Sequence, residues 1–259
     1  MTPVRFLLTV VLGLLLLPAA SAQEGRVLYT VTTEIEVELP PEVAHLQDQV
    51  PSQARSERLL LFTEAEALTM SPPSEDDRVP DPSAMTDGGN PVVVRMLGAD
   101  SDDQTYVDLG TGEVIERRDV LGRTFRIVGE VRPLAWRLTW EQSTFLGYTC
   151  QRAVAERDST RYEAWFTSEI PVAAGPEQFG GLPGLILVLT AGDRTFEATS
   201  VDLSPLEAGA VQKPTGGREV TSQELAAIVE ERIEDMNTST MTTDPDGSSR
   251  SFRIIRRSN

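Results

Sequence analysis

The readable pattern begins with a strict alternation: Val27, Tyr29, Val31, Thr33, Ile35, Val37 and Leu39 fall on one face, and Thr30, Thr32, Glu34, Glu36 and Glu38 on the other. A period of two that separates apolar from polar positions predicts a long, half-buried strand. Pro40-Pro41 ends it, and Val43, Leu46 and Val50 then recur at helical spacing, predicting a short amphipathic helix over 42–50. Strand-like segments follow over 59–62 and 67–70, which read as a hairpin, and again over 91–97, 105–109, 113–118 and 123–128. Gly110-Thr111-Gly112 joins two of these segments, its glycines permitting a tight turn.

From Trp136 the pattern sharpens, with Trp136, Leu138 and Trp140 expected on one face and Arg137 and Thr139 on the other. A further hairpin is predicted, 145–155 pairing with 162–167 across the polar stretch 156–160. Late in the chain, Thr221 and Glu224 form a capping box, with Val220 and Leu225 placed to close over it as a staple. Leu225, Ile228, Val229, Ile233 and Met236 continue as one apolar stripe, so a helix packed on a sheet is predicted. The remainder, 237–259, is polar and reads as a loose tail, with 252–255 as a last edge strand or a frayed end. The fold class is therefore mainly β: a curved antiparallel sheet, as an open barrel or sandwich, carrying one C-terminal amphipathic helix.

Two segments depart from this pattern. Over 71–91 the chain gathers Pro72, Pro73, Pro80, Pro82, Gly88 and Gly89 among Glu75, Asp76, Asp77 and Asp81, which reads as a solvated loop inserted between strands. At the start, Arg5 precedes the apolar run 6–17, then Pro18 and Ala20-Ser21-Ala22 before Gln23, the layout of a secretory leader over 1–22. The run is shorter than the about 20 residues a membrane span needs. Export to the periplasm or the cell exterior follows, with a soluble mature chain forming one domain over 23–236. Cys150 is the only cysteine, so no disulfide forms within the chain and stability rests on packing.

Composition narrows the partners. The formal charge is −17, and because Arg5 leaves with the leader the mature chain carries −18. Basic charge is arginine except at Lys213. Nucleic acid is an unsuitable partner for such a surface.

Between Ile170 and Leu189 the chain reads Ile-Pro-Val-Ala-Ala-Gly-Pro-Glu-Gln-Phe-Gly-Gly-Leu-Pro-Gly-Leu-Ile-Leu-Val-Leu. Pro183-Gly184 predicts a type II turn over 182–185, launching a strand over 185–189 that is apolar at every position and therefore central, covered on both faces. Gly175, Gly180 and Gly181 allow the preceding loop to lie flat on the sheet. The hexapeptide Gly181-Leu182-Pro183-Gly184-Leu185-Ile186 resembles the motif for which the GLPGLI family of exported bacterial proteins is named. The Trp136 strand and blocks 146–153, 164–171, Gly175-Pro176 and Val220-Thr221 resemble that family as well. The resemblance implies an exported protein and brings no catalytic residue with it; the hexapeptide itself reads as a structural motif.

Candidate chemistry is sparse. Ser-His-Asp catalysis needs an imidazole beside a hydroxyl, and His45 is the only histidine, in the predicted short helix without a nucleophile motif. Cys150 alternates with Leu146, Tyr148 and Val154 as a buried strand residue does. Asp100, Asp102 and Asp103 start like a calcium loop, but Thr105 and Thr111 stand where that loop needs glycine and glutamate. No metal or other cofactor is implied. Trp136, Trp140 and Trp165 are the candidate binding residues, as an aromatic wall for an apolar or sugar ligand. The pattern thus favours a non-catalytic binding or assembly module of the cell envelope, with an envelope protein or an apolar small molecule as partner. A hydrolase using acidic residues in a pocket is the alternative.

An acidic, nearly lysine-free surface suits high ionic strength, which screens self-repulsion. The melting temperature is expected to rise from low to molar salt; a flat or falling curve would remove that reading.

Overall fold

The computed structural model describes residues 23–35, 51–73, 103–120 and 122–239, with the side chains of the C-terminal helix described as far as Glu231. The leader, the predicted helix over 42–50, the acidic loop beyond residue 73, the predicted strand over 91–97 and the tail from 240 lie outside these residues.

Twelve strands and one helix follow in chain order: β1 (Gly25–Glu34), β2 (Gln53–Phe62), β3 (Glu66–Met70), β4 (Gln104–Asp108), β5 (Glu113–Val120), β6 (Arg123–Glu130), β7 (Arg137–Phe145), β8 (Tyr148–Arg157), β9 (Thr160–Thr167), β10 (Leu185–Ala191), β11 (Arg194–Asp202), β12 (Arg218–Val220) and α1 (Ser222–Ser239). They form one sheet in the order β12-β6-β5-β4-β3-β2-β1-β11-β10-β9-β8-β7. All neighbours are antiparallel except β12, which runs parallel to β6 and pairs Arg218 with Phe125. The sheet is open, with β12 and β7 at its two edges.

Its curvature is forced by one connection. Residues 131–136 join β6 to β7, which stand ten places apart in the sheet order. A flat sheet would separate them by roughly 48 Å, at about 4.8 Å per strand. Seven Cα steps reach at most roughly 25 Å. The sheet must therefore curl, and the bonds of the crossing show how far. Val131 donates its N–H to Gly112 O (2.7 Å) in the β4–β5 turn. The next residue, Arg132, pairs with Asp158 in the β8–β9 turn (3.2 Å) and accepts a bond from Arg157 Nη1 (2.6 Å). Two turns from opposite halves of the sheet are thus held on one rim.

The apolar face of β1 lines the interior as its alternation predicts, with Val27, Tyr29 and Val31 buried. In β10 the register with β9 slips between Ile186 and Val188, leaving Leu187 as an extra residue in a bulge. A bulge frees a ladder carbonyl. The Tyr29 hydroxyl, reaching past β11, donates to Ile186 O at 2.5 Å. Complete burial pushes that hydroxyl far above the usual tyrosine range, so it stays protonated as a donor. Leu185, Ile186, Leu187 and Leu189 are buried, which places β10 centrally as its sequence predicts.

The hexapeptide departs from the predicted turn. Leu185 N–H bonds Ile170 O (3.0 Å) rather than closing back on Leu182, and Gly184 N–H bonds Leu182 O (2.8 Å). Gly184 has φ of 157°, not the roughly +80° of a type II turn. Crowding explains the glycine: a Cβ there would lie 2.0 Å from Thr167 O, at the end of β9. Gly175 and Gly180 meet the expectation of a flat loop, since a Cβ would come within 2.7 Å of Phe179 O and 2.5 Å of Ala173 O respectively. Glu177 then pins this loop: its N–H bonds Thr69 Oγ1 on β3 (2.9 Å), and its carboxylate takes two bonds from Arg194 on β11 (2.5 and 3.0 Å).

The predicted helix forms, capped reciprocally by Glu224 N–H to Thr221 Oγ1 (3.2 Å) and Thr221 N–H to Glu224 Oε2 (2.7 Å). Leu225 and Ile228 pack on Phe125, Ile127 and Val220, which supports the predicted stripe. The backbone stays helical to Ser239, beyond the predicted end at Met236. Between β11 and β12 the chain crosses back over the sheet, where Lys213 pairs with Glu113 (2.5 Å) and lies 5.4 Å from the centroid of the Tyr106 ring.

Crowding and backbone strain separate two glycines of the hexapeptide. Gly184→Ala is expected to cost at least about 3 kcal/mol, seen as a melting temperature lower by roughly 6–12 °C. Gly181→Ala, at φ +79° with nothing within 4 Å, is expected to cost only about 1 kcal/mol. Equal losses at the two positions would contradict this account of Gly184.

Candidate functional site

On the edge strand β7, Leu138 pairs with Ala153 and Gln142 with Gln151, so Thr139, Trp140 and Glu141 together face the single residue Arg152 on β8. Three residues opposite one cannot stay in the ladder, and the chain bows outward. Trp140, at the centre of the bow, is 98% exposed. The alternation places Trp136, Leu138 and Trp140 on one face. Trp140 stands in water, Leu138 is 46% exposed and Trp136 is half-buried.

The bow is held at several points. Gln151 Nε2 donates to Thr139 O (2.7 Å), and Thr139 Oγ1 donates to Arg152 O (3.2 Å). Thr139 Oγ1 also accepts from Glu141 N–H (3.3 Å). Arg152, with a side chain only 18% exposed, pairs with Glu141 on the bulge (2.5 Å) and with Glu163 on β9 (2.7 Å). A guanidinium offers donors in a fixed fork, so one side chain binds both carboxylates and ties three strands together. The bond from Arg152 holds Glu163 below the usual carboxylate range.

The other two tryptophans go elsewhere. Trp136, half-buried just before β7 rather than within it, donates its indole N–H to Gly180 O (3.0 Å) and so clamps the loop before the hexapeptide. Trp165 on β9 packs against Phe145, ring centroids 5.6 Å apart. The three indoles thus have different surroundings: Trp136 bonds the loop before the hexapeptide, Trp165 packs on Phe145, and Trp140 is exposed. Phe145 itself closes β7 instead of opening the next strand: Leu146-Gly147, both at positive φ, make the β7–β8 turn, and β8 begins at Tyr148. Gly181, Leu182, Pro183 and Gly184 lead into β10, which Leu185 and Ile186 open, and Leu182, Leu185 and Ile186 are buried in the core.

Cys150 is buried in the core on β8, and burial pushes its thiol up to about 11, which disfavours the reactive thiolate. Asp103 accepts a bond from Asp119 N–H (3.0 Å), a tie between β4 and β5. Asp100, Asp102 and His45 lie outside the described residues. Among the described residues no three or more of His, Cys, Asp and Glu gather as a metal site, and no helix is long and apolar enough to cross a membrane.

A family model described as "Protein of unknown function (Porph_ging)" matches residues 155–188, a span that runs from the end of β8 through the hexapeptide. No curated protein matches the chain. Among solved structures, PNGF-II in space group C2 is similar at 15% identity with a TM-score of 0.52, covering 81% of this chain and 33% of that one. PNGF-II in space group P21 gives 16% identity and a TM-score of 0.51, over 81% and 34%. This chain thus spans about a third of the length of PNGF-II, and the likeness is one of fold.

One hold on the bulge, Arg152 braced by Glu163, depends on an ionised carboxylate. Glu163 is lowered from 4.5, so its contribution is present above that value and disappears as pH falls through the lowered one. The backbone amide of Trp140 is expected to keep an NMR order parameter near about 0.85 at pH 7, to loosen only in acid, and to be loose already at pH 7 in Glu163→Gln. A profile unchanged by acid and by the substitution would show that Arg152 and Glu163 do not hold the bulge.

Proposed function

We propose that this chain is an exported, non-catalytic binding module of the cell envelope that engages its partner through Trp140. The observation that carries this reading is an indole left 98% exposed on a backbone pinned by side-chain bonds and ion pairs. Exposing such a ring forfeits burial that most tryptophans obtain. Pinning the backbone beneath it lowers the entropy lost on binding. Trp is also among the residues that most often dominate binding energy.

Four of the described acids act as hydrogen-bond acceptors within the fold. Asp108, Glu163, Asp202 and Glu224 all move below the usual carboxylate range, held chiefly by Thr111 N–H, Arg152, the Ser204 hydroxyl and Thr221 N–H respectively. A general acid for hydrolysis needs the opposite shift. The leader-like segment 1–22 supports export.

The test is retention of envelope components, whether protein, lipid or polysaccharide, on the immobilised exported chain and on Trp140→Ala. We expect a component held by the wild type and reduced at least tenfold by the substitution, with an unchanged melting curve. The same components held equally by both would refute the role of Trp140.

A further inference from the structure

We infer that the ligand of Trp140 is a neutral polysaccharide, one of whose rings stacks on the exposed indole; this rests on the reading of Trp140 as the binding anchor. Area, charge and backbone geometry each remove a competing class. A stable protein interface buries about 1,600 Å² in total around an apolar centre. Among the described residues the large apolar side chains left exposed are Trp140, with Leu138, Leu146 and Leu203 each at 46%. The immediate flank of the indole is polar, with Arg137, Glu141 and Gln142 exposed. One open ring in a polar rim is too little for a protein anchor, but it matches one sugar ring.

The formal charge of −17 opposes anionic polymers and anionic lipid surfaces. Cation recognition by aromatics uses a cage of several rings, and Trp136 and Trp165 are engaged elsewhere. Addition of a partner strand to β7 is blocked where Thr139, Trp140 and Glu141 leave the ladder.

What remains is a ligand with apolar faces, polar edges and no charge. The face of an indole carries partial negative charge, and it attracts the weakly positive axial C–H groups of a pyranose. The exposed side chains of Arg137 and Gln142 supply donors, and that of Glu141 an acceptor, for ring hydroxyls. A held backbone matters most for such weak ligands, because little energy is available to order the site.

The test uses the purified chain labelled with ¹⁵N and follows the Trp140 indole N–H on titration with cellohexaose, xylohexaose, mannohexaose and chitohexaose. Hexagalacturonate, hexalysine and phosphatidylcholine vesicles serve as contrasts. We expect at least one neutral hexaose to shift this resonance, Trp140→Ala to weaken that sugar's binding at least tenfold without changing the melting curve, and Trp140→Phe to restore part of it. A response to a contrast ligand alone, or to no ligand, overturns the inference. Envelope retention that still depends on Trp140 would then leave the binding-module reading standing, and loss of that dependence would remove both.

Discussion

Everything in this fold depends on a length mismatch between chain and sheet. Residues 131–136 are too few to connect β6 and β7 across a flat sheet, so the strands between them must wrap around a common interior. Once wrapped, the apolar faces of β1, β2, β8, β9 and β10 enclose one core. The loop before the hexapeptide is laid across it, fixed by Glu177 to β3 and β11 and by Trp136 to Gly180. The Tyr29 hydroxyl satisfies the carbonyl that the bulge in β10 frees, which lets an irregular strand stay buried without an orphaned acceptor.

The bulges in β10 and β7 differ in size and in solvation, with one surplus residue in β10 and three residues facing one in β7. In β10 the extra residue, Leu187, is apolar and enclosed, and a tyrosine from β1 repairs the ladder. In β7 the strand has a neighbour on one side only, so the surplus residues turn to solvent, and Arg152, Gln151 and Thr139 repair the backbone from the inner side. An interior bulge is resolved by packing, an edge bulge by display.

Much of the architecture was legible in the residues themselves. The alternation at Val27, Tyr29 and Val31, the unbroken apolar run of β10, and the Thr221–Glu224 box each act through neighbours close in sequence or through burial, and each formed as read. The sites that misled are those where a distant backbone decides. Pro183-Gly184 reads as a type II turn until Thr167 and Ile170 are brought beside it. Trp136, Leu138 and Trp140 read as one face until the register slips, and alternation has no means of registering inserted residues. The polar run Glu141-Gln142-Ser143 just after Trp140 was a faint sign that the strand lies at an edge. The β12 pairing was not legible, since three residues are too short for any period to show.

The strap that carries the chain from β11 to β12 bears its only lysine, and Glu113 beside that lysine raises its affinity for the proton. Acylating reagents attack the neutral amine, so the pairing with Glu113, which favours the ammonium, slows tagging of this half-exposed side chain. The one lysine of the chain therefore reports, through its rate of acylation, whether the strap is paired with β5.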